Sequence, residues 1–142
     1  MLTENVFIYH INSDGSINDK ILNSYAGAEK NVILPNQIEE LAASSLYYAE
    51  LDNITLNEGL KIIRHSALTG HNFTSITIPS TVETIEDYAI FRYYAQTNKI
   101  STIINKTGRS FDWSSITGSK TANQVFETGT ITHDVGNITV TK

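Results

Sequence analysis

The stretch TSITIPSTVETIEDYAI, residues 74–90, decides the fold because the chain repeats its pattern. The segments NVILPNQIEELAASSL at 31–46 and NITLNEGLKIIRHSAL at 53–68 match it column by column, at an interval of 22 residues. A partial fourth copy aligns Ile103 with Ile76 after an interval of 27, so five residues are inserted in the FRYYAQTNK region. A period of 20–29 residues is typical of leucine-rich-repeat arrays. The six matching columns are Val32, Ile54 and Ile76; Leu34, Leu56 and Ile78; Ile38, Leu60 and Val82; Leu41, Ile63 and Ile85; Ser45, Ala67 and Ala89; and Leu46, Leu68 and Ile90.

Each repeat begins with alternating apolar residues, which predict a short strand with one buried face. Pro35 and Pro79 end two of these strands, because proline cannot donate to a strand ladder. The later columns predict a turn or short helix that packs back on the strand. One such unit cannot bury its apolar face alone, so the units must stack. We therefore predict a repeat solenoid, α+β but leaning to all-β, with short parallel strands in one small sheet.

We expect three parts along the chain: an N-terminal β cap at 1–30, a leucine-rich-repeat array at 31–105, and a C-terminal β cap or hairpin at 106–142. The array holds three full repeats and one partial repeat. In the first part, NSDG at residues 12–15 predicts a turn between two apolar runs.

The C-terminal part has two β-type runs, Phe126–Thr132 and Asn137–Thr141, around a turn at residues 133–136. Repeat arrays need caps over their last core layer, and Phe111 and Trp113 are candidates for that role. The same segment can also be interpreted as a separate small binding unit.

The pattern I-x-I-P-x-x-V-x-x-I-x-x-x-A, here ITIPSTVETIEDYA, resembles the BspA-like leucine-rich repeats of bacterial surface proteins. The resemblance covers residues 31–105. It implies a protein-binding array and favours an extracellular or cell-surface role in adhesion. The N-terminal sequence MLTENVFIYHINSDG lacks the basic start and apolar run of a signal peptide, so the localisation stays open.

Composition disfavours several classes of partner. The chain has 15 acidic and 10 basic residues, a net charge of −5, and no cluster of Lys or Arg. Binding to nucleic acid or to anionic lipid normally needs such a cluster. No apolar run reaches the length of a membrane-spanning helix, so we expect no membrane insertion. Because cysteine is absent, disulfides and thiolate chemistry are excluded.

No motif predicts a catalytic site, a metal site or a cofactor. HINSDGSINDKI at residues 10–21 partly matches a calcium loop, but His10 and Ile21 occupy the two end positions, where carboxylates are needed. The four histidines show no zinc-site spacing. Ser66 does not lie in a Gly-x-Ser-x-Gly elbow. An enzyme is therefore the least favoured class.

Two groups of residues are candidates for binding. The first is the outward side of the predicted strand ladder, an uncharged strip that includes Asn53, Thr55, Ser75 and Thr77; a merely solvated β face is the alternative. The whole strip consists of Asn31, Asn53, Ser75, Thr102, Ile33, Thr55, Thr77 and Ile104. The second group is the inserted Phe91, Arg92, Tyr93 and Tyr94, which form either an interface hot spot or a loop over the core edge.

Together these patterns favour a non-enzymatic binding module for a protein, or for a glycan, at the cell surface or outside the cell. The alternative is a structural or assembly component, such as a phage or surface-layer protein. Such a component would form homo-oligomers through its repeat and cap faces.

Overall fold

The computed structural model describes residues 6–90, 100–117, 129–133 and 136–141 of the 142-residue chain. These residues form strands in two ladders and one short helix. In chain order the elements are β1 (Phe7–Ile11), β2 (Ile17–Tyr25), β3 (Asn31–Ile33), β4 (Glu40–Leu41), β5 (Asn53–Thr55), β6 (Ile62–Ile63), β7 (Ser75–Ile78), β8 (Thr84–Ile85), β9 (Thr102–Asn105), α1 (Trp113–Thr117), β10 (Gly129–His133) and β11 (Gly136–Thr141).

The first ladder contains the strands that open the repeats, and its pairing follows the sequence columns. β3 pairs in parallel with β5, with Val32 opposite Ile54. β7 pairs in parallel with β9, with Ile76 opposite Ile103. The second match confirms the predicted interval of 27 residues. β11 then pairs in parallel with β9, so the C-terminal strand extends the same ladder.

A second ladder runs through β4, β6 and β8, each only two residues long. Its strands are parallel and also keep the interval of 22, because Leu41 lies opposite Ile63 and Ile63 opposite Ile85. The sequence predicts a turn or short helix in this part of the repeat. Turns follow these strands, but residues 31–90, which are all described, contain no helix.

Two observations explain why the second half of each repeat is not helical. Some of its backbone N–H groups bond the next repeat, which interrupts any run of helical bonds: Leu46 N–H donates to Ala67 O at 3.0 Å, and Leu68 N–H donates to Ala89 O at 2.7 Å. In addition, a left-handed residue recurs at the same column, Ser44, Ser66 and Tyr88, with φ of 60°, 57° and 55°. A right-handed helix cannot continue through such a residue.

The core lies between the two ladders and is built from the repeated columns. Sixteen of the eighteen column residues are buried, while Ile54 and Ile85 are half-buried and pack against the core. Fully burying one Leu or Ile side chain stabilises the folded state by roughly 1.5–3 kcal/mol relative to leaving it exposed. Since every repeat supplies the same columns, each interface between repeats buries the same kind of layer.

Hairpins lie at both ends of the repeats. β1 and β2 are antiparallel, and the turn between them is closed by Asn12 N–H, which donates to Ser16 O at 2.8 Å. β2 also pairs in parallel with β4, so this hairpin extends the second ladder. At the other end β10 and β11 form an antiparallel hairpin. The predicted turn at residues 12–15 and the antiparallel pairing of the C-terminal strands are therefore confirmed, while residues 126–128 and 134–135 of the predicted C-terminal hairpin lie outside the described residues.

Candidate binding groove between two repeats

The first ladder opens between β5 and β7. The sequence predicts one continuous parallel sheet here, and that prediction is wrong: β3 and β5 form one sheet, while β7, β9, β11 and β10 form another. Leu34 N–H donates to Thr55 O at 3.0 Å across the intact junction. Among the described residues, Leu56, one repeat later, makes no equivalent bond to Thr77.

Asn57 gives a physical reason for the opening. It stands in the column where the neighbouring repeats have Pro35 and Pro79, and its side chain is buried. Its Nδ2 donates to Ile38 O at 2.7 Å and to Asn36 O at 3.2 Å, both in the first repeat. These bonds tie the chain after β5 to the first repeat, next to the point where the ladder opens. The missing proline at position 57 is the sequence signal for this difference between the repeats.

The opening forms a groove of about 390 Å³. Its lining includes four side chains predicted from the sequence as binding residues: Asn53, Thr55, Ser75 and Thr77. All four are exposed, which confirms the predicted outward orientation of these strand positions. Apolar side chains between them, Ile54, Leu56 and Ile76, also line the groove. These residues give the groove a hydrogen-bonding rim of uncharged side chains and an apolar floor, to which one carboxylate is added.

The two walls also present main-chain groups. In a parallel ladder, alternate residues direct both backbone groups to the same neighbour. Asn53 N–H donates to Lys30 O on the far side of β5, so Ile54 directs its N–H and C=O toward the groove. Thr74 O accepts from Ser101 and Thr102, so Ser75 and Thr77 direct theirs into the groove from β7. A ligand there meets donors and acceptors from both strands.

Glu58 is the charged residue of the groove lining, and the sequence reasoning missed it. The Ser80 hydroxyl donates to Glu58 Oε2 at 2.9 Å, and Ser80 N–H donates to Oε1 at 3.4 Å. These bonds fix the carboxylate at one end of the groove. Glu58 could have been identified as the first charged residue after the second strand, in the column that holds Asn36 and Ser80.

The other predicted residues fall into two sets. On the same strip, Asn53 Nδ2 donates to Asn31 Oδ1 at 2.7 Å, which links two side chains of the predicted ladder. Ile33 is 75% exposed, while Thr102 and Ile104 are half-buried. The second candidate group, Phe91, Arg92, Tyr93 and Tyr94, lies outside the described residues.

Carboxylates on the second ladder form ion pairs between repeats. Arg64 Nε lies 3.1 Å from Glu40 Oε2, and its Nη1 lies 2.9 Å from Glu86 Oε2. The hydrogen bond from Arg64 lowers the pKa of the Glu86 carboxyl. His65 Nδ1 lies 3.2 Å from Asp87 Oδ1. Partly exposed ion pairs of this kind each contribute up to about 1 kcal/mol to the free energy of unfolding. These groups therefore connect neighbouring repeats.

The described residues show neither a metal-binding cluster nor a membrane-spanning helix. No group of three His, Asp or Glu side chains there could hold a metal ion. At the partial calcium-loop match, Asp14 Oδ1 instead accepts from Ser16 N–H at 2.9 Å and from the Ser16 hydroxyl at 2.6 Å, which defines a tight turn. Within the same residues, no helix has the length and apolar character needed to cross a membrane.

Parallel strands paired at intervals of 22 and 27 residues, with a groove between two of them, define a repeat protein. The chain belongs to the BspA-type leucine-rich repeat family, whose profile matches residues 15–132 in six copies. That match extends beyond the 31–105 segment found from the columns and includes β2 and all of β10 except His133. Family membership indicates a protein-binding repeat module. Searches of curated proteins and of solved structures found no match.

Proposed function

We propose that this protein is a non-enzymatic binding module that recognises a protein ligand through the groove between β5 and β7. One observation carries the proposal: four outward side chains and the free edges of two strands line a single opening. Strand edges bind polypeptide well because they supply donors and acceptors at the spacing of an extended chain.

We further propose that the repeats form a short solenoid and act in adhesion at the cell surface or outside the cell. The support is the BspA-type repeat, together with the resemblance of its pattern to bacterial surface proteins. Stacked repeats present an extended surface, and binding is the usual role of such a surface.

The groove chemistry narrows the class of ligand. Its rim is uncharged except for Glu58, so a protein segment with amide groups and one Lys or Arg fits its charge. A glycan could use the same hydroxyl and amide groups but would leave the Glu58 carboxylate without a cation. A protein ligand is therefore the better match.

Thr77→Lys should block the groove, because Thr77 lies in its wall and a long cationic side chain fills the opening. Thr84→Lys is the matched control, since Thr84 is an exposed strand threonine on the second ladder. Immobilised fibronectin, laminin, fibrinogen and collagen, together with a glycan array, serve as probes. For any protein that binds, we expect Thr77→Lys to weaken affinity at least tenfold, about 1.4 kcal/mol, with no change for Thr84→Lys. Equal effects of the two variants on affinity would contradict the proposal that the ligand binds in the groove.

The predicted aromatic patch is tested with the same probes. Tyr93→Ala combined with Tyr94→Ala should weaken binding if Phe91–Tyr94 form part of the interface, since aromatic residues and Arg dominate interface hot spots. An unchanged affinity would exclude the patch and leave the groove as the site.

An assembly component is the second candidate, and one observation favours it. Ile11 and Ile17 lie opposite each other in the β1–β2 hairpin and are 64% and 70% exposed. Contiguous exposed apolar patches mark contact surfaces, and this pair would form part of such a patch. Light scattering at several concentrations discriminates the two functions: a defined oligomer that dissociates in Ile17→Glu would favour assembly through this hairpin.

A further inference from the structure

We infer that the chain has a second binding site, at the free edge of β3, which accepts an extended polypeptide segment of a partner as an added β-strand. This site is separate from the groove between β5 and β7. Its test therefore stands whether or not the groove binds a protein.

The edge of β3 is open in the described part of the chain, where β5 is its one strand neighbour. Leu34 N–H donates to Thr55 O, and Lys30 O accepts from Asn53 N–H, so these residues face β5. The alternate residues, Asn31 and Ile33, direct their N–H and C=O groups to the other side. That side presents the row of donors and acceptors to which a further strand can pair.

The edge is open because the two hairpins extend different ladders. The N-terminal hairpin adds β2 to β4, at the start of the second ladder. The C-terminal hairpin adds β11 to β9, at the end of the first ladder. Neither covers the start of the first ladder, which is β3.

A cleft of about 640 Å³ lies along this edge. On one side are Asn31–Gln37, and on the other are Phe7, Tyr9 and Tyr25 of the hairpin. Such a volume falls in the range of about 300–1,000 Å³ that is usual for binding pockets. The side chains of an added strand would therefore meet an aromatic wall.

Hydrogen bonds hold this wall in place. The Tyr25 hydroxyl donates to Glu29 O at 2.9 Å, and Gln37 Nε2 donates to Tyr9 Oη at 3.1 Å across the cleft. The rings of Phe7 and Tyr25 pack at 5.4 Å between centroids. A site fixed in this way loses little conformational entropy when a ligand binds.

Charge and backbone chemistry identify the occupant. Among the described residues that line the cleft, Glu29 is the one charged residue and none is Lys or Arg. A partner segment with a Lys or Arg is therefore complementary in charge. The free N–H and C=O groups require an extended backbone, and the aromatic wall favours apolar side chains at alternate positions. The fitting partner is an extended, proline-free protein segment that alternates apolar with polar or basic residues.

The probe is the peptide acetyl-Lys-Ile-Thr-Ile-Thr-Lys-amide, measured by calorimetry with the full chain. Two further peptides carry N-methyl groups on the odd or on the even amides. An added strand bonds the edge through one alternate set, so we expect one methylated peptide to bind at least tenfold more weakly and the other to keep its affinity. Equal effects of the two patterns, or no binding at 1 mM peptide, would overturn the inference.

Ile33→Pro removes one of the edge donors and should abolish binding of the unmethylated peptide. Ser13→Pro is the control, because Ser13 is an exposed residue of the β1–β2 turn, away from this cleft and at a turn position that favours proline, and it should leave peptide binding unchanged. Urea unfolding of both variants checks that they fold. Peptide binding that survives in a folded Ile33→Pro variant would overturn the site.

Two other occupants of the cleft give distinct results. If the peptide binds only after residues 1–5 are deleted, the chain covers its own edge. If light scattering shows a dimer that the peptide dissociates, a second copy of the chain covers it. Either result would overturn the inference that a separate partner binds at β3. Binding of the peptide to the intact monomer would support it.

Discussion

Replacing Trp113 by alanine is expected to lower the free energy of unfolding by about 3–5 kcal/mol, measured by urea denaturation. The side chain is fully buried, at 0% exposure, and belongs to the same core cluster as the repeat columns. It lies at the start of α1, and Ile116 in the same helix bonds the third repeat through Ile90 N–H. Its loss would leave a large cavity at the end of the core.

Phe111→Ala is the matched control for this prediction. Phe111 is half-buried and packs edge-on against Trp113, with 5.5 Å between ring centroids. Because less of its surface is buried, we expect a smaller loss of about 1–2 kcal/mol. A loss below about 1 kcal/mol for Trp113→Ala would mean that this tryptophan does not close the core.

The second large effect is a loss of stability in acid that depends on His71. Its ring is 1% exposed and stacks on Phe73, and Leu51 N–H donates to its Nδ1 at 3.1 Å. Burial lowers the pKa of His71 to about 4, although a hydrogen bond with the Leu46 backbone opposes the shift. Since the unfolded histidine has its ordinary pKa near 6.5, the unfolded state binds the extra proton between these values.

Stability should therefore be complete above about pH 6.5 and should fall by about 3 kcal/mol as the pH drops toward 4. His71→Asn keeps an acceptor near the Leu51 N–H but cannot be protonated, so its stability should be flat between pH 7 and 5. Urea titrations at half-unit pH steps give the comparison. If the free energy of unfolding changes with pH equally in both proteins over this interval, His71 is not the group that causes the loss of stability in acid.

The repeat columns could be predicted from the sequence because burial follows a fixed period. Ile76 and Ile103 are paired as their columns predict, even across the five-residue insertion. The outward orientation of Ser75 and Thr77 follows from the same alternation, since successive strand residues point to opposite faces. The turn at residues 12–16 was also predictable, because Asn, Asp and Gly favour turns for local reasons.

Features that depend on contacts between repeats could not be predicted in this way. The two-residue strands β4, β6 and β8 exist because backbone groups of adjacent repeats bond one another, which no local pattern records. The left-handed conformation of Ser44 and Tyr88 is likewise a result of that stacking, since neither residue type prefers it. Asn57 was visible as a missing proline, but its bonds to Asn36 and Ile38 follow only from the three-dimensional position of its amide.

The groove has both kinds of feature: some follow from the local sequence pattern, and others follow from contacts between repeats. Strand alternation predicts that Asn53 and Thr55 lie on the outward face of β5, and both are exposed there. The break between β5 and β7 lies next to the buried Asn57 amide, which bonds the first repeat, and no strand alternation predicts it.

Amide hydrogen exchange tests the open junction between β5 and β7 most directly. Leu34 and Leu56 occupy the same repeat column, but only the Leu34 N–H is bonded to the neighbouring strand. By NMR we expect the Leu56 amide to exchange at least tenfold faster than that of Leu34, and the Thr77 amide to exchange rapidly as well. Equal, strong protection of Leu34 and Leu56 would show a closed ladder and would contradict the groove.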